Sequence, residues 1–337
     1  MRDRRPSWPS RSKKLVLIVW AAALAGLGTP IVVGILNVPA IRAQDASDWQ
    51  TKAGGKMVFE VASVKPAKAP TWPKFPLDNG DAKTPGGRFS ETAPLLPFIV
   101  FAYKLSPSNP GIAQLPEWAR TDQFEIEALG AGNPTKDQMR LMTQALLADR
   151  FKLAVHFESR QGSVLALVLV KPGQTGPRLR PHADGPACPD TFEMPAPPAF
   201  PPPSTPPGPP KAGEVFPPVC GASQMRQTGG GTLIGARNTT MELIASDMYS
   251  YGSMGGEVDK PVVNQTGLQG NFDFTLELHY GLFSFPLGPP KPADAGGEPQ
   301  GPRFLNAVRD QLGLKLVPAK GAIRKLVIDH IERPSEN

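Results

Sequence analysis

Thr135-Lys136-Asp137-Gln138-Met139-Arg140-Leu141-Met142-Thr143-Gln144-Ala145-Leu146-Leu147-Ala148-Asp149-Arg150, running straight into Phe151-Lys152-Leu153-Ala154-Val155-His156, decides the fold class. Its first four residues make a capping box, with a threonine hydroxyl and a glutamine amide three positions on to satisfy free N–H groups at a helix start. Met139, Met142, Ala145 and Leu146 then fall on one face of a helix that runs to about Asp149. From Phe151 the apolar period drops from 3.6 to 2, the signature of a strand with one buried face. A helix and an alternating strand joined this tightly point to an α+β chain.

The same grammar extends toward the N-terminus. Met57–Val64 reads as a strand, and Gly87-Arg88-Phe89-Ser90 as a short strand after a glycine turn. Pro94–Leu105 reads as a helix carrying Leu95, Phe98, Ile99 and Ala102, with its prolines confined to the first turn. Ile112–Leu115 is a brief strand and Gln123–Ala128 alternates as another. Beyond His156, Ser163–Val170 is a continuous apolar run that fits the centre of a sheet.

A second series follows. Gly230-Gly231-Thr232-Leu233-Ile234 opens it, and Thr239-Thr240-Met241-Glu242 is another capping box before a helix with Leu243, Ile244 and Met248. Pro261-Val262-Val263 and Asn271–Glu277 read as strands. Pro302 begins a helix with Phe304, Leu305, Val308 and Leu312 that Gly313 stops. Leu314-Lys315-Leu316 and Lys325–Ile331 close it as two strands. Arg88 and Gly231 are 143 residues apart, Phe124 and Phe272 148, and Phe151 and Leu314 163. The spacing predicts two similar β-α-β-β-α-β-β modules, residues 57–180 and 223–337, after an N-terminal segment 1–43. The competing account is an α+β pattern shared by chance.

Between the modules lies a proline-rich linker, residues 181–222; the chain has 41 prolines in 337 residues. Proline lacks the amide donor and fixes φ, so this stretch forms neither helix nor inner strand. It reads as a polyproline-II linker or an ordered-edge loop. A second Pro/Gly stretch, 285–302, reads as a long flexible insertion. Cys188 and Cys220 bracket the first stretch, and an isolated pair of this kind in an oxidising compartment forms a disulfide. The rival is two free thiols or half a metal site, which no CxxC and no nearby histidine cluster supports.

The oxidising compartment follows from the N-terminus. Arg2, Arg4, Arg5, Arg11, Lys13 and Lys14 precede an apolar run from Leu15 to Leu36, and Pro39-Ala40-Ile41-Arg42-Ala43 offers a small-residue exit. These are the three parts of an export signal. The run suits either a cleaved signal peptide or a retained membrane anchor through residues 15–36. Either way the remainder is exported, periplasmic or anchored to the inner membrane and facing the periplasm. Residues 1–43 hold seven of the 36 basic side chains and one of the 30 acidic ones, so the rest balances at 29 of each. The net charge of +6 therefore belongs to the export segment, and nucleic-acid binding is excluded as a reading.

Several segments carry a family resemblance: Phe59–Pro66, Gly87-Arg88-Phe89, Phe124–Ala128, Leu146–Leu153, Val263–Phe274 and Val327–Asn337. Through them nearly everything after Met57 resembles the DUF3738 family of exported proteins of unknown function, expanded in Acidobacteria and other soil bacteria. The resemblance brings no catalytic residues. It implies kinship with segments joined to membrane metallopeptidases of the antirepressor type, whose His-Glu-x-x-His zinc motif this chain lacks. Residues 232–277 are also loosely similar to short N-terminal domains of secretins and TonB-dependent receptors.

Searching for chemistry returns little. His156, His182, His279 and His330 are far apart in sequence, and His156 and His330 read as structural or surface strand residues. Tyr251-Gly252-Ser253-Met254-Gly255 lacks the first glycine of a nucleophile elbow and reads as a loop at a helix end. Gly229-Gly230-Gly231 has no following Lys-Ser/Thr and reads as a turn. Glu125 with Glu127, and Asp273 with Thr275 and Glu277, read as exposed strand faces. Met139, Met142 and Met248 read as core rather than copper ligands. No catalytic, cofactor-binding or metal-ligating residue is assigned, and the site residues are Cys188 and Cys220. The expected function is a non-catalytic envelope protein whose modules bind a protein partner or a ligand. The alternatives are a sensor domain of an envelope signalling system and an enzyme with a dispersed site such as His156, Asp329 and His330.

Overall fold

The capping box forms as read: Thr135 accepts from the Gln138 amide, the Gln138 side chain accepts from the Thr135 amide, and a helix runs from Lys136 to Arg150. The structure, a computed structural model, describes residues 46–334 apart from 107, 190, 192–213, 229–230 and 280–302. The export segment 1–43, most of the proline-rich linker and the 285–302 insertion lie outside the described residues. Among the described residues no helix is long and apolar enough to cross a membrane.

The chain is α+β. Its first half runs α1 (Ala46–Lys52), β1 (Val61–Ala67), β2 (Arg88–Pro94), α2 (Leu95–Ala102), α3 (Trp118–Thr121), β3 (Gln123–Leu129) and α4 (Lys136–Arg150). Strand β3 lies between β1 and β2, antiparallel to both. The two longer helices cover this sheet. Phe89, Leu95, Phe98, Ile126, Met142 and Phe151 are fully buried between the layers, each worth about 1.5–3 kcal/mol.

A long strand follows, β4 (Ala154–Leu169), then β5 (Leu179–Pro181), β6 (Ser223–Thr228), β7 (Gly231–Thr240), α5 (Met241–Met254), β8 (Val262–Asn264) and β9 (Asn271–His279). The chain ends with α6 (Phe304–Ala307), a π-turn over Val308–Leu312, and β10 (Leu314–His330). Strands β5, β9, β7 and β6 form a second antiparallel sheet. It packs against α5 and α6 through Ile234, Met248, Phe274, Leu276, Phe304 and Leu312. Gly313 ends the last helix at φ 68°, the left-handed cap its position predicts.

Strands β4 and β10 pair antiparallel along their whole length, from Leu314 opposite Leu169 to His330 opposite Ala154. One end of this ribbon, with Leu326, Val155, Phe157 and Ile328, packs into the first core. The other end, with Leu167, Leu314 and Leu316, packs into the second. The C-terminal strand thus serves both cores.

Several sequence readings change in detail; the strand expected over Met57–Val64, for one, runs Val61–Ala67. Two strands each were expected where β4 and β10 now stand, because the polar stretch around Glu158–Gln161 hides the continuity; it is paired backbone exposed to water. Ile112–Leu115 is no strand: Pro110–Gln114 forms a 3-10 turn capped by Asn109, whose carboxamide oxygen accepts from the Gly111 amide. The second helix starts one residue later than its box predicts. Thr240 is the cap, accepting from the Leu243 backbone amide, and Glu242 instead accepts from the side-chain Nδ2 of Asn264. The first helix is shortened to Leu95–Ala102, with Pro94 as its N-cap.

Candidate functional site

Helix α5 has two occupied faces. Met241, Ile244, Ala245 and Met248 are buried in the second core. One position round the helix, Ser246, Asp247 and Ser250 face the segment Leu77–Gly80, and Tyr251, which also packs against the second core, borders it too. With Ser223 and Val100 they enclose a cavity of about 230 Å³. Asn79, Leu243 and Ser246 also border an adjoining cavity of about 440 Å³, whose other walls include Trp49, Asp81, Lys104 and Thr239. The two form one cleft between the cores, the place where single-chain proteins favour small-molecule sites.

Two buried cations hold the cleft's far wall. Arg140, fully buried beneath the Asp78–Asp81 loop, donates to the Gly80 carbonyl at 2.5 Å and to the Asp78 carbonyl at 3.2 Å, and it pairs with Asp137. Its guanidinium lies 5.3 Å from the Phe101 ring centre. Lys136 Nζ meets Asp78 Oδ1 at 2.8 Å, and that oxygen also accepts from the Gly80 amide at 2.6 Å. Burial pulls the Lys136 ammonium down to about 8, against the pull of Asp78. Burial opposes ionisation of Asp81, but Lys104 and Arg140 outweigh it and hold that carboxyl below its ordinary value. These contacts hold the Asp78–Asp81 loop in place.

Some residues that line the cleft carry buried polar atoms without partners. Asn79 Nδ2 donates to the Leu105 carbonyl at 2.7 Å, which identifies Oδ1 as the free end of the amide; Oδ1 is buried without a partner. Asp247 Oδ2 is likewise buried and unpartnered, although part of the residue opens to the cleft. In the adjoining chamber Trp49 Nε1 and Thr239 Oγ1 are buried without partners. Each such atom costs about 1–3 kcal/mol unless something meets it. Burial pushes the Asp247 carboxyl up to about 7; a hydrogen bond from Ser223 opposes the shift and Asp78 adds to it. The Ser223 and Tyr251 hydroxyls are 2.8 Å apart, and burial raises the Tyr251 phenol further above its ordinary value. Shifted acids and unpaired polar atoms around one cleft make it the candidate site. The inner chamber offers a carboxamide oxygen and a carboxyl that exchanges its proton near neutrality, a match for an amino or hydroxyl group.

Sequence reasoning missed this cleft. Ser246, Asp247, Ser250 and Tyr251 at helical spacing look the same whether water or another core covers them. Tyr251–Met254 is the last turn of α5, not a loop.

The residues singled out from sequence fall in other places. Cys188 and Cys220 form a disulfide, their Cα atoms 5.5 Å apart. His156 and Asp329 do meet, with Nδ1 2.9 Å from the carboxylate, and this hydrogen bond raises the His156 pKa. Both are about half exposed on the ribbon. His330 stays apart from them and meets Glu332 at 2.6 Å. The side chain of His279 and residues 229–230 lie outside the described residues. Met139, Met142 and Met248 are core, and Glu125 and Glu127 lie on the outward face of β3. Two expectations are overturned. Asp273 is 5% exposed rather than on an open face, because it accepts the Asn238 amide and meets His182 and Arg237. The cysteine pair is not without a histidine, since His182 Nε2 is 3.9 Å from Cys220 Sγ.

A family model described as a protein of unknown function (DUF3738) matches residues 97–331. No curated protein and no solved structure matches the chain.

Proposed function

We propose that this chain, which belongs to the DUF3738 family, is an exported, non-catalytic envelope protein that binds a small polar ligand in the cleft between its two cores. The observation that carries the reading is that Asn79 and Asp247, whose Oδ1 and Oδ2 are buried without partners, line one cavity with walls already braced by Arg140 and Lys136. An amino or hydroxyl group would satisfy both. Export is supported by the basic, apolar and small-residue parts of residues 1–43 together with the disulfide. The paired-module reading is supported by the matching order of β2-α2 with β7-α5 and of α4-β4 with α6-β10.

A sensor role is favoured by one further observation: the cleft's walls come from both cores, so a ligand there could bias their arrangement and inform an envelope protein partner. Binding is tested by thermal shift of the full chain in mild detergent against amines, amino acids, polyols and carboxylates. Ligand at about a hundred times its Kd stabilises by about 2.7 kcal/mol, several degrees in Tm. The expected result is a shift with an amino- or hydroxyl-bearing class that Asp247→Asn and Tyr251→Phe diminish. No shift with any class, or an equal shift in both variants, overturns the proposal.

A further inference from the structure

Away from the cleft, His182 stands in the 3-10 turn His182–Asp184 that follows β5. Its Nδ1 is 2.7 Å from Asp273 Oδ1 and its Nε2 is 3.9 Å from Cys220 Sγ. With Cys188 Sγ, the three ligand atoms lie within 4.8 Å of one another, the one group of this kind among the described residues. Facing a carboxylate, Nδ1 is the protonated nitrogen, and Nε2 turns its lone pair toward the sulfurs. A carboxylate behind a histidine that faces two sulfurs is the arrangement by which proteins orient a metal-binding imidazole.

The backbone around the sulfurs is held by bonds other than the disulfide. The Cys220 amide donates to the Pro189 carbonyl and the Gly221 amide to the Arg237 carbonyl, both at 2.8 Å. Arg237 also donates to the Pro186 carbonyl, on the Cys188 side. Asp273 is fixed by the Asn238 amide at 2.9 Å and flanked by Arg180 and Arg237 at 3.7 Å. Opening the S–S bond therefore leaves both cysteines near His182.

We propose that the Cys188–Cys220 disulfide is a masked zinc site, and that its reduced form binds one Zn²⁺ through Cys188, Cys220 and His182, with Asp273 as the positioning residue behind His182. The reductant is a small dithiol. Its thiolate attacks the partly exposed Cys188 sulfur, the S–S bond breaks, and the buried Cys220 leaves as thiolate. The reductant's second thiol then displaces Cys188 and closes a disulfide of its own, so two electrons pass to the protein. Both cysteines bind the metal as thiolates, and their protons pass to solvent. Three protein ligands leave a fourth position open for water or a partner's donor group.

Cobalt(II) is the probe, because tetrahedral thiolate coordination gives it intense absorption. The full chain in detergent, reduced anaerobically with a phosphine that spares metals, is expected to bind one Co²⁺, displaced by Zn²⁺; the oxidised chain binds none. His182→Ala and His182→Gln, the latter still able to meet Asp273, weaken Co²⁺ at least about tenfold, and Asp273→Asn weakens it about 10–100-fold. Circular dichroism of each oxidised variant confirms its fold. The proposal is overturned by no stoichiometric binding to the reduced chain or by unchanged affinity in both His182 variants. Unfolding on reduction that zinc does not reverse overturns it too.

Discussion

Asp247 keeps a proton that an exposed carboxyl would have released, since burial raises its pKa to about 7. In the unfolded chain the same group titrates near 4. Between those values the folded state binds more protons, so Asp247 makes stability fall as pH rises from about 4 to 7. We expect Asp247→Asn to remove that slope and to raise stability at pH 8 by up to about 4 kcal/mol, measured by urea unfolding across pH. A variant with unchanged pH dependence would show that the carboxyl is solvated in the folded chain. Such a residue is hard to read from sequence. The cysteine pair was legible because its partners are few, whereas Asp247 and Asp273 look like ordinary surface acids until the chain folds over them. His182 was equally silent, six residues before Cys188 and 91 before the aspartate that orients it.

Among the elements, the β4–β10 ribbon does most to build the fold. Pro318 sits within it opposite Leu165, tolerated because β10 lies at the edge of its sheet. At one end β8 extends the sheet in parallel, with Leu165 opposite Val262. At the other end the side chain of Asn109 serves instead, donating to the Arg324 carbonyl at 2.8 Å and accepting from the Leu326 amide at 3.1 Å. A brief strand was expected just beyond it, where the chain turns. Helices were the most legible elements, since caps and periodicity are local signals. The ribbon's continuity was not, because its middle is polar and its partners lie 145 to 176 residues apart in sequence. Leu326 and Leu167, each essentially buried, belong to different cores. Leu326→Ala and Leu167→Ala should each cost about 2–5 kcal/mol. Because the strands are continuous, both variants should lower one shared unfolding transition. Separate transitions by calorimetry would show that the ribbon does not couple the cores.

At the scale of the whole molecule, the two cores meet twice, through the ribbon and across the cleft, where α5 faces the Leu77–Gly80 segment. The cleft is one of the places where this α+β frame leaves buried polar atoms unpaired, and ligand binding there is the central claim. Native mass spectrometry of the full chain, released gently from envelopes in mild detergent, tests it most directly. The account predicts a stoichiometric small-molecule adduct on the wild-type chain that is lost or sharply reduced in Asp247→Asn and Tyr251→Phe. Bare protein mass throughout, or an adduct that both variants retain in full, would contradict it.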